Sequence, residues 1–131
     1  MKQDQKLLNS ALWVVQVLLA IGFIAGGAMK LFMPVNKLAV MWPWAADVPF
    51  AILRFMGVVD ALAAVGIVLP SIFRIIPKLV PITALCIIIL MLSAAIFHFY
   101  RGEAASTPIN FMFAFMAAFV VWGRFKKCDV I

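Results

Sequence analysis

The amino-acid sequence predicts an all-α, polytopic membrane protein folded as an antiparallel four-helix transmembrane bundle. Of its 131 residues, 67% are hydrophobic and only 12% are charged, whereas a soluble domain is about half apolar. Four apolar segments approach the ~20 residues that a membrane-spanning helix needs. Each segment also carries small residues at helical spacing, the pattern through which helices pack in lipid. We expect residues 1–131 to form a single membrane domain.

The four predicted spans are separated by short connections. They cover about residues 12–32, 49–69, 79–100 and 108–123. Pro34 and Pro70 are expected to end the first two spans, because proline lacks the amide hydrogen that continues a helix. The chain has a basic start that suggests a signal peptide, but its first apolar run is too long and we expect this segment to be retained.

The distribution of Lys and Arg predicts the orientation of the bundle. Seven of these residues lie in the two tails and the loop after the second span, against three around the other connections. The positive-inside rule then places both termini in the cytoplasm and residues 33–48 outside. In that outer connection, Trp42 and Trp44 suggest an interfacial aromatic anchor, and residues 35–41 a short helix on the membrane. The net charge of +6 thus indicates a lipid bilayer as partner and no nucleic acid.

Asp60 is the most informative residue, because a carboxylate inside an apolar span costs at least ~2.5 kcal/mol near the bilayer centre. Arg54 lies on the same predicted helix, and Gly57 falls between the two charges. Polar residues of the other three spans lie near the outer ends of their helices. We therefore predict a ligand-binding site in the outer half of the bundle, formed by Lys30, Arg54, Asp60, His98 and Asn110.

Structural explanations of the same residues stay open. Lys30 and Arg54 would also reach lipid headgroups, and Asn110 would also cap its helix. Asp60 would then be only the partner of a cation, either Arg54 or one from another helix. The inner half has fewer polar groups: Gln16, Thr83 and Cys86.

The sequence contains no signature of metal binding or thiol redox chemistry. Cys86 and Cys128 lie far apart in no metal or redox motif, and one histidine excludes a bis-His haem. We expect no metal site, and we expect Cys86 to pack as a small apolar residue.

Several motifs in order resemble those of DoxX-like membrane proteins, from about residue 10 to 124. The first span ends Gly-Ala-Met-Lys-Leu, and the second contains Arg-Phe-Met-Gly-Val-Val-Asp-Ala-Leu. The third ends Ala-Ala-Ile-Phe-His, and the fourth contains an asparagine. The family pattern often has glutamate where this chain has Asp60, one methylene shorter.

The resemblance implies a multi-pass protein of the bacterial cytoplasmic (inner) membrane, with Lys30, Arg54, Asp60 and His98 as the family's polar positions. Family members are associated with thiosulfate:quinone oxidoreductase, quinone resistance and thiol-stress complexes. One function that follows is binding of a quinone or small anion, as part of a redox-linked system with a redox partner protein. The alternative is a non-catalytic scaffold or assembly subunit with structural charges. Whether the chain is an enzyme or a homo-oligomer stays open.

Overall fold

The computed structural model describes residues 3–76 and 78–127. Within these ranges the chain forms helices and no strand. The α-helices are α1 (Gln3–Phe32), α2 (Val35–Met41), α3 (Phe50–Phe73), α4 (Leu79–Tyr100) and α5 (Thr107–Trp122). Short 3₁₀ turns cover Pro43–Ala46 and Ala104–Ser106, and a π-helical turn covers Gly123–Lys127.

Four of the helices, α1, α3, α4 and the α5 segment, are long and apolar enough to cross a membrane. The predicted all-α, four-span fold is therefore confirmed. The boundaries of α4 match the prediction, whereas α1 begins at Gln3 rather than near residue 12. With 30 residues, α1 is about 45 Å long and exceeds the ~30 Å of a hydrocarbon core. Its polar first turns therefore extend beyond the apolar segment.

Helix α3 continues past Pro70, where the sequence predicted its end. The helix tolerates this proline and finishes at Phe73, because losing one backbone hydrogen bond does not break a helix that packs against neighbours. Arg74 follows in the left-handed conformation, with φ 56°, and its amide donates to the Pro70 carbonyl. The left-handed residue thus ends the helix.

The spanning helices form a closed ring in which α1 packs on α3, α3 on α4 and α4 on α5, with a narrower contact between α5 and α1. The main cluster of buried side chains between these helices is apolar. Its buried residues are Leu19, Phe23, Ala64, Ile67, Val80, Ala84, Ile87, Ala117 and Val120. Large side chains such as Phe55, Ile89 and Phe115 are exposed on the outside, as a lipid-facing surface requires. Cys86 is exposed there too, so the expectation that it packs inside was wrong.

Helices α1 and α3 touch through their backbones at Gly27 and Gly57. A Cβ on Gly27 would lie 2.9 Å from the Gly57 carbonyl oxygen, and one on Gly57 would lie 3.0 Å from the Gly27 oxygen. The position of Gly57 between Arg54 and Asp60 is thus occupied by the backbone of a neighbouring helix. This close approach sets the register between the helices that carry Lys30 and Asp60.

A small second core lies between α1 and α3. We call residues 35–47 the cap, and the end of the bundle that it covers the cap end. The cap comprises α2, Trp42, the 3₁₀ turn and Asp47. Leu38, Trp44 and Ala45 of the cap are buried against Leu53 of α3, in a cluster separate from the main core.

Candidate functional site

Lys30 and Asp60 form an ion pair at the cap end of the bundle. The Lys30 Nζ atom, in the last turn of α1, lies 2.5 Å from Asp60 Oδ2 in the middle of α3. Asp60 is only 4% exposed. The close Gly27–Gly57 contact brings the two helices near enough for this pairing, and Asp60 is indeed held by a cation from another helix. A buried pair of this kind is costly to break from one side, because the other charge is then left without a partner.

Arg54 binds the end of α1 rather than Asp60. Its Nη1 donates to the carbonyl oxygens of Lys30 and Met33, and its Nη2 lies 3.3 Å from the same Met33 oxygen. The guanidinium also lies over the Phe50 ring, 4.5 Å from its centroid. The last carbonyls of a helix have no partner within the helix and carry partial negative charge. Arg54 therefore caps α1 and fixes the segment that presents Lys30.

Two tryptophan rings of the cap lie beside the Lys30 ammonium. The Nζ atom is 5.7 Å from the Trp42 ring centroid and 5.9 Å from that of Trp44. The two rings stack at 6.0 Å with an interplanar angle of 15°. Cation–π attraction adds to the ion pair here. Lys30 is thus held between a carboxylate on the bundle side and aromatic faces on the cap side.

His98 contacts Trp44, one of the two rings beside the Lys30 ammonium. Its ring lies edge-on to Trp44 at 6.3 Å, and its Nδ1 is 3.0 Å from Glu103 Oε1. No hydrogen bond of its side chain reaches Asp60. The structure therefore places His98 behind the aromatic rings rather than beside the carboxylate.

Glu103 belongs to a chain of charges on the outer edge of the site. Arg101 Nε donates to Glu103 at 3.1 Å, and Arg101 Nη2 donates to Asp47 of the cap at 2.7 Å. The hydrogen bonds from His98 and then Arg101 lower the pKa of Glu103. Those to Asp47 and then Glu103 raise the pKa of Arg101. The sequence alone does not show this pairing, because Arg101 and Asp47 are 54 positions apart.

Asn110 is buried, and its Nδ2 has no hydrogen-bond partner in the described part of the chain. The alternative that it caps α5 is not supported, since it makes no capping bond. Phe113, one turn further along α5, lies against Gly22, where a Cβ would come within 2.8 Å of the ring. Along α5, Asn110 is about 4.5 Å closer to the cap end than Phe113, and the next turn of α1 after Gly22 runs in the same direction.

That next turn of α1 contains Gly26, which also adjoins Asp60. A Cβ on Gly26 would lie 3.8 Å from Asp60 Oδ2. Gly26 thus leaves a side-chain-free surface beside the Asp60 carboxylate. Of the five predicted site residues, the structure joins Lys30 with Asp60 directly and Arg54 with the Lys30 carbonyl, and it buries Asn110 on α5.

A second polar network at the opposite end was missed by sequence reasoning. Arg124 is 2% exposed and donates to Gln16 Oε1 and Asn9 Oδ1. Gln16 Nε2 in turn donates to the Ile67 carbonyl at 2.6 Å and the Ser71 hydroxyl at 3.1 Å. In the sequence, Arg124 follows the fourth predicted span and counts among the basic residues of the C-terminal tail. The only sequence signal for its burial was Gln16, a polar residue in an apolar span that needs partners.

The model of the DoxX-like family matches residues 14–120 of the chain. This range includes Lys30, Asp60, Asn110 and the whole cap, and it ends before Arg124. No curated protein and no solved structure matches the chain significantly.

Proposed function

Because the chain belongs to the DoxX-like family and has four membrane-spanning helices, we propose that its cap end binds the electron-rich head group of a quinone or a small anion. The observation that carries this proposal is the buried Asn110 amide without a partner, and from the helical rise along α5 we infer that it lies near the Lys30–Asp60 pair. The binding would serve a redox-linked system in the bacterial inner membrane, with both termini in the cytoplasm. The redox role, the inner-membrane location and the cytoplasmic position of the termini are part of this proposal.

The site offers more hydrogen-bond donors than acceptors. The Lys30 ammonium has three N–H groups, and its side chain makes one hydrogen bond, to Asp60, within the described residues. Asn110 adds an amide donor that is buried and unpaired. Leaving such a donor unsatisfied costs about 1–3 kcal/mol. A carbonyl or anionic oxygen bound between these groups would recover that free energy.

A quinone suits the surroundings of the site better than a water-soluble anion. Its carbonyl oxygens accept hydrogen bonds, and its apolar tail would lie along the exposed hydrophobic surface of the bundle. The stacked Trp42 and Trp44 rings offer faces on which a flat ring can pack. His98 lies behind Trp44, and we assign it to supporting that ring.

Binding of a quinone analogue to the purified protein in lipid nanodiscs tests this function. Asn110→Leu removes the donor at similar volume, and we expect it to weaken binding by about tenfold, the equivalent of one hydrogen bond of ~1.4 kcal/mol. Asn36→Leu is the matched control, because Asn36 is exposed on the cap. Competition by a small anion distinguishes the two ligand classes. An analogue that fails to bind, or that binds equally to wild type and Asn110→Leu, contradicts the proposal.

A scaffold or assembly role is the second candidate, and the pairing of the charges favours it. Asp60 is satisfied by Lys30, and Arg54 by carbonyl oxygens of α1, so both groups stabilise the bundle without a ligand. Under this role Asn110→Leu raises the melting temperature, and neither quinone analogues nor anions change it. A ligand-dependent rise in the melting temperature of the wild type, absent in Asn110→Leu, excludes the scaffold role as the sole function.

A further inference from the structure

We propose that the cap is a lid over the Lys30–Asp60 pair, and that the Arg101–Asp47 ion pair holds it closed. The inference rests on the proposed function, since it describes how access to that same site is controlled. Three features of the structure carry it: the coverage of Lys30, the separation of the cap from the bundle core, and the position of the ion pair.

The cap supplies the cover of the Lys30 ammonium. Trp42 and Trp44 both lie within 6 Å of Nζ, and the Lys30 side chain is only 15% exposed. Asp60 occupies the opposite side of the same ammonium. Displacing the two rings would therefore open Lys30 to the membrane–water interface while leaving its ion pair with Asp60 in place.

The cap can move without disturbing the main core. Its buried residues Leu38, Trp44 and Ala45 form a cluster with Leu53 that is separate from the core between the spanning helices. Pro34 and Pro49 flank the cap in extended conformation, with ψ of 141° and 140°. Segments that open usually turn at a few residues next to the ends of helices. The ring fixes φ at both prolines, so the cap would turn by rotation about ψ at these two positions.

One surface ion pair joins the cap to the α4–α5 side of the bundle, in addition to the edge-on contacts of Trp44 with Phe97 and His98. Arg101 Nη2 contacts Asp47 at 2.7 Å, and the two side chains are 27% and 57% exposed. Arg101 is oriented by Glu103, which also bonds His98 against Trp44. Exposed ion pairs contribute at most about 1 kcal/mol and are screened by salt. The Arg101–Asp47 ion pair is therefore weak enough to break and re-form reversibly.

The lid is tested by the initial rate at which a water-soluble amine-acylating reagent modifies Lys30, measured by mass spectrometry against exposed Lys37. We expect Arg101→Gln and Asp47→Asn each to raise the relative rate at Lys30 about two- to fivefold, the range set by an exposed ion pair. The double variant should match the single ones, since both remove the same contact. High salt should raise the rate in wild type but not in these variants.

Arg74→Gln is the matched control, because Arg74 is an exposed residue at the opposite end of the bundle. Unchanged melting temperatures in the variants show that the bundle stays folded. Wild-type rates in both single variants, or an equal increase in Arg74→Gln, would overturn the lid. Because acylation needs no ligand, the two proposals fail separately: faster acylation without quinone binding removes the proposed function and keeps the lid, and the reverse result removes only the lid.

Discussion

Asp60 has the strongest energetic consequences of any single residue in the site. It is a buried carboxylate in a membrane-spanning helix, and its contact with Lys30 offsets part of the desolvation of the two charges. Removing one partner leaves the other charge in apolar surroundings. The two groups are therefore expected to behave as a unit in mutational experiments.

Asp60→Ala should lower the stability by about 3–5 kcal/mol, because it leaves the Lys30 ammonium without its partner. Asp60→Asn should cost less, since the amide still accepts a hydrogen bond from Lys30. Melting temperatures in detergent compare the two variants. Asp47→Ala serves as the control, because it removes an exposed carboxylate at the same end. Equal melting temperatures for wild type and Asp60→Ala would mean that the ion pair does not stabilise the bundle.

Sequence reasoning at the residue scale located Asp60 and its cluster but did not select the partner. It left Arg54 and the cations of other helices open, because the choice depends on helix register. Arg54 instead binds the carbonyl end of α1, which a helical wheel cannot show. The burial of Arg124 was missed for a related reason, since a residue at the end of an apolar span looks like part of a basic tail.

At the scale of elements, the contact between α1 and α3 determines where Lys30 meets Asp60. Gly27 and Gly57 let the two backbones approach. The four long helices were predictable, because the length of each apolar segment and the spacing of its small residues can be read directly from the sequence. The sequence did not predict which of Gly26 and Gly27 contacts the α3 backbone, because adjacent residues of a helix lie on different faces.

The two adjacent glycines allow a matched test of this contact. Gly27→Ala places a Cβ within 2.9 Å of the Gly57 oxygen, whereas on Gly26 the nearest atom would be 3.8 Å away. We expect Gly27→Ala to cost about 1–3 kcal/mol, as overpacking does, and Gly26→Ala to be nearly neutral in stability. Thermal unfolding measures both. Equal effects of the two substitutions would contradict the observed register of α1 and α3.

At the scale of the whole molecule, the two ends of the bundle have different polar groups. The cap end has an ion pair under aromatic rings, and the other end has the network around Gln16 and Arg124. Burial of Arg124 leaves one cation fewer for the exposed tail. The remaining Lys and Arg residues still favour the end that carries both termini, so the prediction that this end faces the cytoplasm is unchanged.

Orientation is tested by labelling single cysteines from outside the cell. In a background with Cys86 and Cys128 replaced by serine, a cysteine at Val48 beside the cap should react with an impermeant thiol reagent. One at exposed Ile75, in the opposite loop, should react only after the membrane is opened. If only the cysteine at position Ile75 reacts in intact cells, the predicted orientation is wrong and the bundle has the opposite one.

The central proposal is that the cap end of this bundle holds an electron-rich ligand between the Lys30 and Asn110 donors, beside the Lys30–Asp60 pair. A photoreactive quinone analogue, cross-linked in native-like membranes and mapped by mass spectrometry, tests it most directly. We predict adducts around Trp42, Trp44 and Asn110 that excess unlabelled analogue suppresses and that Asn110→Leu reduces. Adducts confined to lipid-facing residues such as Phe55 and Phe115, or adducts that competition does not suppress, would contradict the proposal.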